Sequence, residues 1–251
     1  MSLLHTWFQK LRKASGKYGY TCDCCGEELF DYPAHRLCFS CEAGLERNEK
    51  YRCNKCGRKS FTEGVCLTCK GKPPLFDKGI SPFVYRAETA SLVNRLKNGD
   101  RRLAFYFGEQ ATATFLQENP VISADETLVV IPVPLTKEKQ GERGYNQAQE
   151  LAEVVCDALN ARKISARLET DALQKLHETA QQKHLTSAER TKNASGAYHL
   201  HKRKLFEGKT VLLVDDILTT GATGSACARL MKGAGAKRVI LLTVASLPER
   251  K

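Results

Sequence analysis

Beyond residue 75 the apolar positions of the chain follow two alternating periods. "ETLVVIPVPL" (126–135), "KTVLLVDDI" (209–217) and "RVILLTVAS" (238–246) are short, dense apolar runs, the mark of strands covered on both faces. Pro132 and Pro134 cannot donate to a ladder, so they are expected to end the first of these strands. Between the runs lie segments with helical spacing: "ASLVNRLKNG" (90–99), "RLAFYFGEQATATFLQE" (102–118), "GYNQAQELAEVVCDALNA" (144–161) and "SACARLMKGAGA" (225–236). The third carries its stripe through Leu151, Val155 and Leu159, and the fourth ends at glycine. Such alternation predicts an α/β domain, a parallel sheet with helices on both faces. Ligands are then expected at the carboxyl ends of the strands.

The first 75 residues do not alternate in this way. Leu3, Leu4, Trp7, Phe8 and Leu11 have helical spacing and predict an amphipathic segment over 1–19, docked on its own protein rather than on a membrane. Polar residues interrupt it too often for a secretory signal. No apolar run approaches the roughly 20 residues of a membrane span. Cysteine is abundant, with 11 in 251 residues, and eight of them form four CxxC pairs: Cys22/Cys25, Cys38/Cys41, Cys53/Cys56 and Cys66/Cys69. Without a signal peptide this points to a reducing cytoplasm and to metal rather than disulfides.

A CxxC turn presents two thiolates to one ion, and two such turns complete a tetrahedral S₄ zinc site. Gly26 and Gly57 follow the second cysteine of a pair, where a tight turn favours glycine. Cys24 is off this spacing and is read as a spectator. Pairing the turns in sequence keeps each loop short and is favoured, while a cross-braced pairing of first with third stays open. Four thiolates fill a site, so about two structural Zn²⁺ are expected, and His35 is not needed as a ligand. "GKPP" (71–74) reads as a linker, which divides the chain into a zinc-binding domain over 20–72 and a second domain over 73–251. Phe30, Tyr32, Phe39, Tyr51 and Phe61 offer faces on which bases stack. In so small a domain they are expected to form its core instead.

Formal charge is +11, which invites a polyanionic ligand. Residues 1–72 carry 13 Lys and Arg against 8 Asp and Glu. Two Zn²⁺ on eight thiolates would lower that segment to about +1. The basic balance therefore lies mostly in the second domain, where it suits a small polyanion as well as DNA. The run His201-Lys202-Arg203-Lys204 is a candidate backbone contact or a solvated loop.

The chemistry concentrates in "VLLVDDILTTGAT" (211–223). Asp215 and Asp216 fall at the carboxyl end of a strand, and Thr219-Thr220-Gly221-Ala222-Thr223 lead into a helix. Free amides and hydroxyls at such a turn cradle a monophosphate, and a side chain at Gly221 would stand in its approach. Carboxylates repel phosphate, so the pair predicts a ligand that also offers hydroxyls or a hydrated Mg²⁺. A sugar 5-phosphate offers both. A dinucleotide fingerprint is excluded, since only Gly221-x-x-Gly224 follows the strand. A Walker loop is excluded too, since "GKT" (208–210) precedes its strand and Arg203 stands where the first motif glycine is required.

This motif resembles the ribose-phosphate-binding motif of type I phosphoribosyltransferases, which use 5-phosphoribosyl 1-pyrophosphate (PRPP). With the four CxxC turns, "LVVIPVPLTKEKQGERGYNQAQELA" and "TAQQKHLTSAERTKNASGAY", the chain over about residues 20–247 resembles the ComF/GntX family, a zinc finger joined to a phosphoribosyltransferase-like domain. The resemblance implies that Asp215 and Asp216 bind ribose hydroxyls and that Thr219 to Thr223 bind the 5-phosphate. It implies that Lys137, Lys139 and Arg143, after the "VVIPVPL" strand, face pyrophosphate, and that Mg²⁺ accompanies PRPP. "RGYNQ" (143–147) matches the family's arginine-glycine-aromatic-Asn-Gln segment. Thr179, Gln182, Leu185, Arg190 and Asn193 match a mobile hood, with Lys175 and His177 where arginines are usual. PRPP or ribose 5-phosphate is the implied ligand, and Mg²⁺-dependent phosphoribosyl transfer the implied reaction. Relatives also imply natural competence, handling of internalised single-stranded DNA and a helicase partner. No residue announces itself as a base for an acceptor, so a non-catalytic nucleic-acid or protein adaptor that uses the PRPP site as a sensor is the alternative.

Overall fold

The computed structural model describes residues 21–118, 122–123, 126–177 and 196–249. The expected amphipathic segment 1–19 and the hood residues Thr179, Gln182, Leu185, Arg190 and Asn193 lie outside them. The chain divides by contact into two units, 1–45 and 46–251.

In the first unit Cys22, Cys25, Cys38 and Cys41 converge, their sulfurs within 4.8 Å of one another. A short helix α1 (Phe39–Ala43) starts on the second turn. Among the described residues of this unit few side chains are buried besides the cysteines. Leu37 and Leu45 are covered, and a buried ion pair joins Arg36 to Asp23 at 3.1 Å. Phe30 and Phe39 are 94% and 89% exposed. The expectation that the finger aromatics form its core is therefore overturned for these two. The cysteine cluster occupies the place of a hydrophobic core, and the rings are left in solvent.

In the second unit Cys53, Cys56, Cys66 and Cys69 converge in the same way, all four buried. Helix α2 (Leu67–Gly71) starts on the last turn. The main sheet follows. Its strands are β1 (Lys78–Ile80), β2 (Phe83–Val84), β3 (Leu128–Pro132), β4 (Ala166–Leu168), β7 (Thr210–Leu218) and β8 (Arg238–Ser246). The order is β1-β8-β7-β3-β4, with β2 also on β8, and every pairing is parallel. β7 and β8 are the central pair. Their apolar runs are buried from end to end apart from Arg238, Asp215 and Ile217, as a strand covered on both faces requires. Pro132 pairs with Val214 at the end of β3, and the Val133 amide adds one more bond to the Val214 carbonyl before the ladder stops.

Helices α3 (Ala87–Lys97) and α4 (Leu103–Gln117) follow β2, and α5 (Lys137–Arg143) and α6 (Gln147–Ala161) join β3 to β4. Helix α6 buries the predicted stripe of Leu151, Val155 and Leu159 against α4, β3, β4 and β7. Helix α7 (Ala222–Gly233) joins β7 to β8. A separate antiparallel pair, β5 (Leu173–Lys175) and β6 (Tyr198–Leu200), had no clear period in the sequence. Among the described residues no helix is long and apolar enough to cross a membrane.

The second cysteine cluster is built into the sheet unit. The Gly79 amide on β1 donates to the Lys55 carbonyl at 2.9 Å. Gly57 and Gly79 approach so closely that a Cβ on Gly79 would lie 2.3 Å from the Cys56 carbonyl oxygen. Backbone cannot yield there as a flexible side chain would. Gly79→Ala is therefore expected to cost at least the upper end of the roughly 1–3 kcal/mol typical of overpacking. Urea unfolding of the full chain measures it, and an unchanged midpoint would contradict the contact.

Candidate functional site

Parallel strands β3 and β7 end side by side, and every feature of the candidate site grows from those ends. Successive side chains of a strand face opposite sides of the sheet, so Asp215 and Asp216 diverge. Asp216 is 6% exposed. Its Oδ2 accepts from Gln147 Nε2 at 3.0 Å and faces Lys97 Nζ at 3.3 Å. Gln147 in turn accepts from Arg143 at 2.9 Å. The Asn146 side chain caps α6 through the Ala148 amide and donates to the Val133 carbonyl, both at 3.0 Å. Tyr145 donates to the Leu96 carbonyl and accepts from the Gly99 amide, which fastens the end of α3 here and brings Lys97 onto Asp216. "RGYNQ" thus works as one bracket between β3, α3 and β7.

Asp215 is partly buried on the other face. Its Oδ1 accepts from the Asp216 amide at 2.9 Å. Burial, and then the charge of Asp216, push its carboxyl up to about 8, with Lys97 and Lys175 opposing. A folded-state value above the ordinary one means that the folded chain keeps a proton which the unfolded chain releases near pH 4. That contribution is full below about pH 4 and is lost as pH rises to about 8. In the ligand-free protein the urea midpoint is expected to fall between about pH 6 and pH 8.5, and Asp215→Asn should remove most of that fall. Parallel curves for both proteins would contradict it.

Thr219 and Thr220 are exposed, Gly221 is buried with φ +79°, and Ala222 opens α7. Thr220 Oγ1 accepts from the Ala222 amide at 3.3 Å. A Cβ on Gly221 would face Leu218 and Phe76 at 3.6 Å, an ordinary contact. The glycine is thus required by its left-handed backbone; a side chain would point into the core and not, as expected, into the phosphate's approach. Lys137 is exposed on α5, while Lys139 and Arg143 are partly covered. Of these three, Arg143 is already joined to Asp216 through Gln147. Lys97, Arg58 and Phe76 also border the site. Lys97 carried no signal beyond a basic helix end, and the other two carried none.

The basic run near 203 is partly committed within the fold. Lys202 Nζ pairs with Glu169 at 3.0 Å and Asp171 at 2.8 Å, and Arg203 donates to the Gly233 carbonyl at 2.7 Å.

Both cysteine clusters fit a tetrahedral thiophilic cation. The pairing is sequential, first turn with second and third with fourth, and Cys24 stands outside the four. In each cluster the first cysteine is a sulfur acceptor. Cys22 receives the amides of Cys24 and Cys38 at 3.4 and 3.2 Å, and Cys53 those of Cys56 and Cys66 at 3.4 and 3.3 Å. Burial alone would raise both thiols, but backbone amides, those of Cys25 and Cys56 foremost, hold each at about 7. Burial pushes Cys56 up to about 11 and drives Cys41 and Cys69 higher still, the neighbouring sulfurs adding to it. Four sulfurs this close ionise together only around a cation.

Residues 144–251 match the family model described as "Phosphoribosyl transferase domain". "Competence protein ComFC" of Bacillus subtilis is 30% identical over 206 residues, covering 79% of each chain. "DNA utilization protein YhgH" of Escherichia coli O6:H1 is 26% identical over 205 residues, 81% of this chain and 87% of the relative. Among solved structures, a hypoxanthine phosphoribosyltransferase of Staphylococcus aureus is similar at 16% identity and a TM-score of 0.35, covering 60% of this chain and 67% of that one. By its identity to ComFC across most of both chains, the protein belongs to the ComF family.

Proposed function

We propose that the β7–α7 turn binds the 5-phosphoribosyl group of PRPP with Mg²⁺. The observation that carries this reading is the placement of an acidic pair, of which Asp216 is braced by Lys97 and Gln147, directly before Thr219-Thr220-Gly221-Ala222-Thr223 at the start of a 12-residue helix. The turn offers amides and hydroxyls to the phosphate. Asp215 and Asp216 accept from ribose hydroxyls and from the hydration shell of Mg²⁺. Lys137 and Lys139 follow β3 on the neighbouring strand end and supply positive charge to pyrophosphate. Arg143 contributes through the Gln147 bracket. Phosphoribosyl transfer needs little more of the protein than positioning and stabilisation of the leaving charge, and Mg²⁺ supplies Lewis-acid stabilisation of pyrophosphate when bound. Titration calorimetry with PRPP, with and without Mg²⁺, tests the reading. One Mg²⁺-dependent site per chain is expected; no heat under either condition would overturn it.

A second reading is favoured by the exposed rings. Phe30 and Phe39 in the first unit are almost fully exposed, and Tyr51 and Phe61 in the second are about half exposed, with Lys50 over the Tyr51 ring. Such faces stack unpaired bases, and the names of the relatives speak of competence and DNA utilization. In this reading the chain works in the cytoplasm on single-stranded DNA, beside a helicase, with PRPP as a regulatory ligand. Its DNA binding is expected to be weak, salt-sensitive and sequence-tolerant. Affinity that does not change between low and moderate salt would contradict it.

A further inference from the structure

Arg58 follows the third CxxC turn, is 6% exposed, and spans two groups from opposite ends of the chain. Its Nε donates to Cys56 Sγ at 3.2 Å, and its Nη2 donates to the Thr219 carbonyl oxygen at 2.8 Å. Cys56 belongs to the second cysteine cluster, and Thr219 opens the phosphate turn. Apolar packing joins the same two places independently. The four cysteines share one core with Phe76, Leu218, Ala226 and Cys227, and the Phe76 ring lies under Gly221 and Gly224.

The peptide group gives this bridge a consequence. A trans peptide is planar, with its C=O and N–H on opposite sides. A Thr219 carbonyl drawn to Arg58 sets the Thr220 amide pointing the other way, away from the cysteine cluster. A guanidinium is a rigid planar fork, so its position follows the sulfur it is bonded to. The sulfur's position is fixed in turn when a metal holds all four thiolates, and the metal-thiolate group carries the negative charge that balances a buried arginine. The residues after β8 are tied to the same cysteine turns. Glu249 accepts from Ser60 Oγ at 2.7 Å, from the Phe61 amide at 3.2 Å and from the Leu67 amide at 2.5 Å.

We propose that the second cysteine cluster is a positioning element of the phosphate turn. A metal on Cys53, Cys56, Cys66 and Cys69 fixes Arg58, and Arg58 fixes the Thr219 peptide so that the following amides face a bound phosphate. Metal occupancy of that one cluster then sets the affinity of the turn for a sugar phosphate, while the first cluster has no such role. The affinity statement rests on the function proposed above, but the orientation of the turn does not.

The experiment uses the full chain in four forms: wild type, Arg58→Met, Arg58→Lys, and Cys22→Ser with Cys25→Ser as the control for the first cluster. Zinc per chain, amide hydrogen exchange across 219–223, and calorimetric binding of ribose 5-phosphate are measured for each. Arg58→Met is expected to keep both zinc ions, to speed exchange at Thr220 to Ala222, and to weaken ribose 5-phosphate about tenfold or more. Arg58→Lys keeps the buried charge should the Met variant fail to fold. It cannot span both partners with a rigid fork, so it should show the same faster exchange. The first-cluster control should lose one zinc and retain wild-type exchange and affinity at the turn. Unchanged exchange at 219–223 in a folded, zinc-loaded Arg58 variant would overturn the proposal. Faster exchange without any ribose 5-phosphate binding in the wild type would uphold the positioning role and overturn the PRPP reading instead.

Discussion

Replacing Asp215 or Asp216 with Asn is expected to weaken Mg·PRPP binding about ten- to a hundredfold each, the value of a hydrogen bond to a charged acceptor, measured for Asp215 above about pH 8, where its carboxyl is ionised. The two substitutions should differ in their side effects. Lys97 and Gln147 both meet Asp216 at Oδ2, so Oδ1 is the proposed acceptor for a ribose hydroxyl. Asp216→Asn also leaves Lys97 without its counter-charge, and a loss of stability should accompany the loss of binding. Asp215 is the reverse case. Its charged form is disfavoured by burial and by Asp216, so Asp215→Asn should stabilise the ligand-free protein at high pH while it weakens the ligand. Thermal unfolding beside calorimetry separates the two effects. A double Asn variant that bound Mg·PRPP as well as the wild type would show the hydroxyl assignment to be wrong.

Zinc removal is the second large effect, and it should be unequal between the clusters. Structural zinc supplies on the order of 10 kcal/mol of folding free energy. Cys53 and Cys56 are 2% exposed and share a core with β7 and α7. Cys53→Ser or Cys56→Ser is therefore expected to lose one of two zinc ions and to lower the unfolding temperature of the whole 46–251 unit. Cys22→Ser should lose the other ion and loosen only residues up to 45. Zinc analysis with limited proteolysis measures both. A metal-free protein with unchanged protease resistance would contradict a structural role for either site.

Much of this architecture was legible in the residues. The runs at 128–132, 210–218 and 238–246 could be read because a strand buried on both faces leaves an almost unbroken apolar signature. The CxxC spacing identified the four turns, and short loops favoured the sequential pairing that the sulfurs adopt. β1, β2, β4, β5 and β6 were missed because two or three residues hold no period. Their place depends on what they pair with, β8 for β1 and β2, β3 for β4, and each other for β5 and β6. At the site, the acidic pair and the turn were visible as a local motif. Lys97, Arg58 and Phe76 were not, because each reaches the turn from more than 100 residues away in sequence. The finger aromatics misled for a physical reason. A size argument for a hydrophobic core fails where a cluster of cysteines takes the core's place, and Phe30 and Phe39 are exposed accordingly.

The most direct test of the sugar-phosphate site is a crystal structure of the full chain with Mg·PRPP. The 5-phosphate is expected on the amides and hydroxyls of Thr219 to Thr223, the ribose hydroxyls within hydrogen-bond reach of Asp215 and Asp216, and the Thr219 carbonyl still on Arg58. A ligand bound elsewhere, or a phosphate on this turn with both carboxylates turned away from the sugar, would contradict it.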